Sequence, residues 1–298
     1  MSTKLFVIIV TYKGHQWYER CFTSLRDSEL PVQTVVVDNA SNDGTVEYIR
    51  EYFPEIHLIE SPENLGFGRA NNIGMRYALD NGCDYVFLLN QDAWIDTNTI
   101  YELVKIHKCH NEYGILSPIH LDADRSNINM LLNDGKENFV LLNDLYFKRP
   151  REIYTITYAN AAAWLLPRIT IEKIGGFCPA FFYCGEDDDY MNRLKYHNIL
   201  MAICPKVCVV HDTRNRLENS RVLAEKANND DLHNILDINN PPPINLIIYH
   251  LRKFVMSLIC MRKKRVIFHL NKCLYIAQNL KKIKKIRNLH AKQQANWL

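Results

Sequence analysis

Thr34-Val35-Val36-Val37-Asp38-Asn39-Ala40-Ser41-Asn42-Asp43-Gly44-Thr45 is the stretch that decides the fold. Three valines in a row leave no polar face, the pattern of a strand buried on both sides. Asp38 ends the run, and the residues from Asn39 to Gly44 read as a polar turn feeding a helix from Thr45 to Tyr52. A strand buried on both faces needs helices above and below it, so this unit predicts a mostly parallel α/β sheet. The same grammar repeats outward. Leu5 to Val10 is a β-branched apolar run ending at Thr11-Tyr12, with an amphipathic stretch from about Trp17 to Asp27 behind it. His57 to Glu60 reads as a third strand, Gly68 to Leu79 as a helix, and Tyr85 to Leu89 as a fourth buried strand. Ligands in such sheets sit at the carboxyl ends of the strands, which is where the polar clusters fall.

From about Ser117 to Tyr154 the periodicity is lost, and hairpins and loops are expected. Order returns with Ala161 to Leu166, Gly175-Gly176-Phe177 and an acidic cluster at Glu186, then with Cys204 to Val210, which ends at His211. Thr213 to Asn240 is highly polar and Pro241-Pro242-Pro243 is a stiff break. The expected organisation is an α/β domain over residues 1–215, a polar linker over 216–243 and a basic helical tail over 244–298.

The chain has 298 residues, 47% hydrophobic and 23% charged, enough to bury a core without disulfides or metals. Its nine cysteines are scattered. The nearest pair, Cys204 and Cys208, lacks the partner pair or histidines of a zinc site, so reduced thiols in a cytosolic setting are expected. The start, Met1 to Phe6, runs straight into strand-like sequence and does not read as a signal peptide. Charge is unevenly placed. Of 36 Lys and Arg, 13 lie between Pro241 and Leu298, where there is no Asp or Glu; the preceding 240 residues hold 23 basic and all 33 acidic side chains. An acidic body with a basic tail points to an anionic surface as the tail's partner.

Five constellations are candidates for chemistry. Thr11 and Tyr12 end the first strand, Asp38 and Asn39 the second. A carboxylate there accepts hydrogen bonds from a ribose or base edge, or caps a turn. Asn64-Leu65-Gly66-Phe67-Gly68-Arg69-Ala70-Asn71-Asn72 invites comparison with a dinucleotide fingerprint, but Asn71 replaces the third glycine and the segment follows the third strand, not the first. It reads instead as a loop and helix start whose amides and Arg69 face a nucleotide. Leu88-Leu89-Asn90-Gln91-Asp92 brings a carboxylate to a strand end, where it suits a divalent cation with oxygen ligands. Phe181-Phe182-Tyr183-Cys184-Gly185-Glu186-Asp187-Asp188-Asp189 sets four carboxylates behind aromatics. A walled pocket explains those rings better than a solvated acidic run, with one carboxylate as general base and a neighbour paired to Arg193 a turn later. His211 either completes the metal site as a neutral imidazole or is structural.

In this order the motifs resemble family 2 glycosyltransferases, and within them a rhamnosyltransferase-like branch. Gly175-Gly176-Phe177, Phe181-Phe182, Glu186-Asp187-x-Asp189 and Arg193 keep that branch's spacing, and the resemblance covers about Leu5 to Asp212. It implies the GT-A fold, a Rossmann-like, mostly parallel central sheet with flanking helices. It implies that Thr11, Tyr12, Asp38 and Asn39 hold the nucleoside of a nucleotide-diphosphate sugar, with Asn64, Gly66, Arg69, Asn71 and Gln91 nearby. Asp92 would bind Mg²⁺ or Mn²⁺, aided by His211. Asp187 would take the proton of the acceptor hydroxyl in a single inverting displacement. Glu186, Asp189, Arg193 and Trp164 would position the acceptor, or hold one another. The implied reaction moves a hexose or deoxyhexose such as rhamnose onto a glycan or lipid-linked acceptor, as in bacterial surface polysaccharide synthesis. Lys13, Asn90 and Cys178-Pro179 depart from the branch's pattern and leave the sugar and acceptor open. A nucleotidyltransferase would want a glycine-rich basic loop after the first strand, which Tyr12-Lys13-Gly14-His15 hardly supplies. A non-catalytic nucleotide-sugar-binding scaffold would be expected to have lost Asp187 or Asp92.

In the tail, Ile244, Ile247, Ile248, Leu251, Val255 and Leu258 recur at helical spacing. Arg252-Lys253 keeps the run short of the ~20 apolar residues that span a bilayer. With Arg262-Lys263-Lys264-Arg265 and the lysines from Lys281 to Lys285, it reads as a basic amphipathic helix on an anionic leaflet. The alternative is a helical pair packed on the α/β domain with a solvated lysine face. No nucleic-acid module accompanies the clusters, so nucleic acid is not an expected partner. The expected location is cytoplasmic and peripheral on the inner face of the membrane.

Overall fold

The computed structural model describes residues 3–128, 136–213 and 232–298. β1 (Leu5–Thr11), β2 (Gln33–Asp38), β3 (His57–Glu60) and β4 (Tyr85–Leu89) alternate with α1 (His15–Arg26), α2 (Thr45–Tyr52) and α3 (Phe67–Asp80). β1 pairs in parallel with β2 and β4, and β2 with β3. Along β1 the side chains divide by parity: Leu5, Val7 and Ile9 pack with α1, whereas Phe6 and Ile8 pack with Met75 and Ala78 of α3. Both faces of the sheet are covered, which is what the unbroken valines of β2 require.

The second half adds β5 (Ala93–Ile95), α4 (Thr99–Cys109), β6 (Tyr113–Leu121), α5 (Lys136–Tyr146), β7 (Tyr154–Ile156), β8 (Ala163–Pro167), α6 (Arg168–Ile174), α7 (Glu186–Tyr196) and β9 (Leu200–His211). The sheet runs β3-β2-β1-β4-β8-β6-β9-β5, with β7 on β9. β8 enters antiparallel to β4 and β6, while β6 and β9 run parallel. This is the GT-A arrangement: a mostly parallel central sheet flanked by helices.

The expected hairpins and loops between Ser117 and Tyr154 are corrected by β6, α5 and β7. β6 was hidden because Ser117, Pro118 and His120 interrupt its apolar run; Ser117 is satisfied by the Ala163 carbonyl across the sheet (3.1 Å). α5 was hidden because Phe139 and Tyr146 are 71% and 80% exposed while Leu141 is buried, so the stretch lacks a clean polar face. β9 begins before the apolar run at Cys204, and Pro205 is absorbed where the register with β6 jumps from Pro118↔Cys204 to Ile119↔Cys208.

Residues 216–231 of the expected linker lie outside the described residues. Its later part is not simply polar spacer, because residues 232–236 are helical and Ile235 and Leu236 are buried. The tail folds into two helices, Pro243–Ile259 and Lys263–His290, packed along each other. Ile276 and Ile283 join Ile235 and Leu236 in a core that includes Cys178 and Phe181 of the α/β domain. Arg287 ties this end down by donating to the carbonyls of Ile235 and Asn240 (3.0 and 2.8 Å). No helix among the described residues is long and apolar enough to cross a membrane.

Candidate active site

The carboxyl ends of β1, β2 and β4 are joined by side chains that the sequence marked out. Thr11 Oγ1 donates to Asp38 Oδ1 (2.9 Å), and the Ser41 amide donates to Asp38 Oδ2 (2.8 Å). Asn39 bridges to the next loop: its Nδ2 donates to the Gly66 carbonyl (3.1 Å) and its Oδ1 accepts the Leu65 amide (3.2 Å). Asn64 Oδ1 accepts the Gly66 amide (2.9 Å). Gln91, Arg69 and Asn71 are engaged by the protein itself. Gln91 brackets the backbone of Tyr12, accepting its amide (2.8 Å) and donating to its carbonyl (3.2 Å). That clamp fixes the chain beneath the Tyr12 ring, which stays 42% exposed. Arg69 donates to the Pro179 carbonyl (2.8 Å from Nη2), and buried Asn71 donates to the Phe67 carbonyl one turn back (3.1 Å). These bonds hold the loops around the cleft in place, while the Arg69 side chain stays exposed.

Asp92 and His211 converge from neighbouring strand ends. Ala93 is in register with His211, and the Asp212 amide donates to the Asp92 carbonyl (2.9 Å). His211 Nε2 lies 3.3 Å from Asp92 Oδ1, with both side chains buried. Asn90 Nδ2 is 3.4 Å from the same nitrogen, and Asn90 Oδ1 is buried with no hydrogen-bond partner among the described residues. A buried acceptor lacking a donor, beside a carboxylate and an imidazole, is a donor set that fits a divalent cation such as Mn²⁺ or Mg²⁺.

α7 carries the acids. Gly185 (φ +90°) precedes it, and Glu186 to Asp189 fill the first turn, where the helix dipole favours negative charge. The four diverge in role. Asp189 is buried against Arg193, whose Nε donates to Oδ2 (3.0 Å) while its other nitrogens donate to the carbonyls of Ile174 (2.7 Å) and Gly176 (2.9 Å). Asp189 and Arg193 therefore form the scaffold of the helix and do not face an acceptor. Asp187 is half-buried, accepts the Asp188 amide (2.9 Å), and its carboxylate is also met by the Ala161 backbone. Burial first, then the Asp188 charge, raises its pKa. Glu186 is buried more deeply, and burial followed by the Asp187 charge raises it further. Both carboxyls are therefore held above the ordinary carboxylate range, by burial and by their neighbours' charge, and they titrate as a pair.

Two more side chains complete the picture. Tyr158 lies close enough to Asp187 that burial, then the Asp187 charge, pushes its hydroxyl pKa up. It sits between β7 and β8, just past the stretch expected to be hairpins and loops, and nothing in the sequence singled it out. Trp164 is fully buried, with its ring 6.1 Å from Phe177 and 5.7 Å from Tyr190. It forms the floor beneath α7 and does not reach an acceptor.

The constellations meet at one edge of the sheet. The Asn90 amide donates to the Ala162 carbonyl (3.0 Å), one residue from the Ala161 backbone that faces Asp187. Gly66 (φ +78°) packs so tightly under the Phe182 carbonyl that a Cβ would collide with it. Cys178, Asp189 and His290 also bring ligand-type atoms within 4.8 Å of one another, but Arg193 already supplies the positive charge there.

The sequence model of Glycosyl transferase family 2 matches residues 6–163, more than half of the chain. The chain belongs to glycosyl transferase family 2. The matched segment of this family 2 member holds Asp38, Asn39, Gly66 and Asp92; α7 lies beyond it, so the reading of Asp187 rests on the geometry above. The chain is similar to the low-salt glycan biosynthesis hexosyltransferase Agl10 of Haloferax volcanii, at 27% identity over 215 residues, covering 71% of this chain and 68% of the relative. It is similar to an N-acetylglucosaminyl-diphospho-decaprenol L-rhamnosyltransferase of Mycobacterium tuberculosis, at 27% over 240 residues, 71% of this chain and 76% of the relative. Two solved structures share the fold. S. aureus TarS has a TM-score of 0.56 at 15% identity, over 80% of this chain and 40% of that chain. GalNAc-T7 with UDP, GalNAc and Mn²⁺ has a TM-score of 0.60 at 14% identity, over 99% of this chain and 55% of that chain.

Proposed function

We propose that this family 2 member is an inverting glycosyltransferase that moves a hexose or deoxyhexose, rhamnose being the favoured case, from a nucleotide-diphosphate sugar to a glycan hydroxyl. The observation that carries the reading is Asp187: a half-buried carboxylate with a raised pKa, at the strand ends that also hold Asp92 and His211. Asp38 and Asn39 fix the loops around the nucleoside, and the exposed Tyr12 ring offers a stacking face. A divalent cation held by Asp92, His211 and Asn90 would supply positive charge to the diphosphate leaving group. Asp187 takes the proton of the acceptor hydroxyl as that oxygen bonds to the anomeric carbon, the bond to the diphosphate breaks, and the nucleoside diphosphate leaves. Glu186 beside it is buried, with its pKa raised by burial and the Asp187 charge, so the less buried Asp187 is the carboxylate that meets the acceptor hydroxyl. One displacement inverts the anomeric centre.

A lipid-linked acceptor fits the tail. Its packed end is fastened to the domain, while the far end of the helical hairpin exposes Ile259 (70%) and Met261 (89%) beside Arg262-Lys263-Lys264-Arg265. Apolar side chains flanked by cations suit the headgroup region of an anionic leaflet on the cytoplasmic face. The mycobacterial relative is named for an acceptor on a decaprenyl diphosphate, which supports the same reading.

The test is Asp187→Asn, assayed with dTDP-L-rhamnose and an N-acetylglucosaminyl diphospholipid and paired with calorimetry of donor binding. Transfer should fall ~10²–10⁴-fold, the usual contribution of a general base, with donor affinity within a few-fold of wild type. Transfer at the wild-type rate would remove Asp187 from the role of base.

A further inference from the structure

We infer that the segment from His290 to Leu298 is a positioning strap for α7, with Trp297 acting through Arg193 on the helix that carries Asp187. The inference rests on Asp187 being the base. None of these residues lies in the cleft, yet the segment meets α7 and the loop before it at every turn. The His197 ring, just past the end of α7, bonds the His290 carbonyl (2.8 Å). The Gly176 amide donates to the Asn296 carbonyl (2.9 Å). Gly175 sits at φ +81°, and a Cβ there would collide with the Asn296 backbone, so this glycine is the seat of the strap. On its other side the same loop is clamped by Asn72, which accepts the Phe177 amide (2.7 Å) and donates to its carbonyl (2.8 Å).

Arg193 is where the strap acts. Its guanidinium lies between two rings, 4.6 Å from the centre of Tyr190 and 5.0 Å from that of Trp297. The His290 ring packs edge-on to Trp297 (5.1 Å), and its Nε2 lies 3.6 Å from Asp189 Oδ1. The hydrogen bonds of Arg193 join α7 to its surroundings: one goes to Asp189 a turn earlier, and the others go to the carbonyls of Ile174 at the end of α6 and Gly176 just after it. Trp297 covers the open face of this buried pair and keeps water from it, which keeps the pair strong. Removing that cover lets the first turn of α7 shift, and a misplacement of ~1 Å in a reacting group costs on the order of 10²-fold. The basic tail thereby does more than carry charge: its docking sets the pose of the catalytic helix.

Trp297 is only half-buried, so its replacement should leave the chain folded. Trp297→Ala in the full chain should lower kcat with dTDP-L-rhamnose and an N-acetylglucosaminyl diphospholipid by tenfold or more, with donor KM changed less than about threefold. The ¹³C-carboxyl titration of Asp187 should move toward the ordinary carboxylate range as water enters, and Trp297→Phe should restore both readouts. Trp297→Leu keeps apolar cover without the ring and serves if the alanine variant does not fold. A folded Trp297→Ala or Trp297→Leu protein with unchanged kcat and unchanged Asp187 titration, only less heat-stable, would overturn the strap. Asp187→Asn at wild-type rate sinks the base assignment instead, and the carboxyl titration still judges the strap on its own.

Discussion

Asp187 and Glu186 share one problem, since two carboxyls in a poorly hydrated first turn do not both ionise at ordinary carboxylate pH. Two consequences follow for pH. The transfer rate should climb along an acid limb placed above the usual carboxylate range, because the base must be ionised and its pKa is raised. Stability should run the other way. A raised pKa in the fold means that the native chain binds more protons than the unfolded one, so the pair's contribution is fullest at low pH and declines as pH rises through the raised pKa values. Asp187→Asn removes part of that loss, and its melting-temperature gain over wild type should grow from about pH 4 to about pH 7; a gain that shrinks with pH contradicts the raised values. Gly66 poses a different constraint. Its backbone (φ +78°, ψ 176°) belongs almost solely to glycine, and the Phe182 carbonyl fills the space of a Cβ. Gly66→Ala should cost ~1–3 kcal/mol in denaturant unfolding, and more if Phe182 cannot move. Asp38, Asn39, Asp92 and Asp187 stood out in the sequence as candidates because polar groups at the ends of buried strands and at a helix start are conspicuous. Trp164 was misplaced because an aromatic near an active-site strand looks the same whether it lines the cleft or lies beneath it. Gln91, Arg69 and Asn71 were named, but their engagement with backbone depends on loops that meet only in three dimensions.

At the scale of elements, β1 to β4 and the helices between them followed from hydrophobic runs and turn residues. β6, α5 and β7 did not, because their polar and apolar residues break the simple periods. Pairing across the sheet, as between Ser117 and the Ala163 carbonyl, compensates for what the local pattern lacks. The tail shows the same limit. Its helices were legible, but nothing local revealed that the far half of the long helix would seat on Cys178 and Phe181. That seat leaves the opposite end of the hairpin exposed, with its apolar residues and Arg262-Lys263-Lys264-Arg265 on the surface. Replacing those four basic residues by Gln should weaken sedimentation with phosphatidylserine-containing vesicles at low salt by on the order of 10³-fold, since each cation near an anionic surface contributes about 1 kcal/mol. Binding unchanged by the substitution, or insensitive to salt, contradicts the membrane reading of this face.

On the scale of the whole molecule, one sheet places everything that matters at a single edge. The loops after β1 and β2, the Asp92–His211 pair and the first turn of α7 converge there, while the tail braces α7 from behind. On the proposed reading, the acidic body holds the nucleotide site and the basic tail meets an anionic surface. The central claim, that this edge binds a nucleotide-diphosphate sugar with a divalent cation, is tested most directly by titration calorimetry with UDP-, GDP- and dTDP-sugars, each with Mn²⁺ and with EDTA. The account predicts one donor bound with Mn²⁺, weakened at least tenfold by EDTA and by Asp92→Ala. Folded protein that binds none of the three classes in Mn²⁺, or binds one with equal affinity in EDTA, would contradict it.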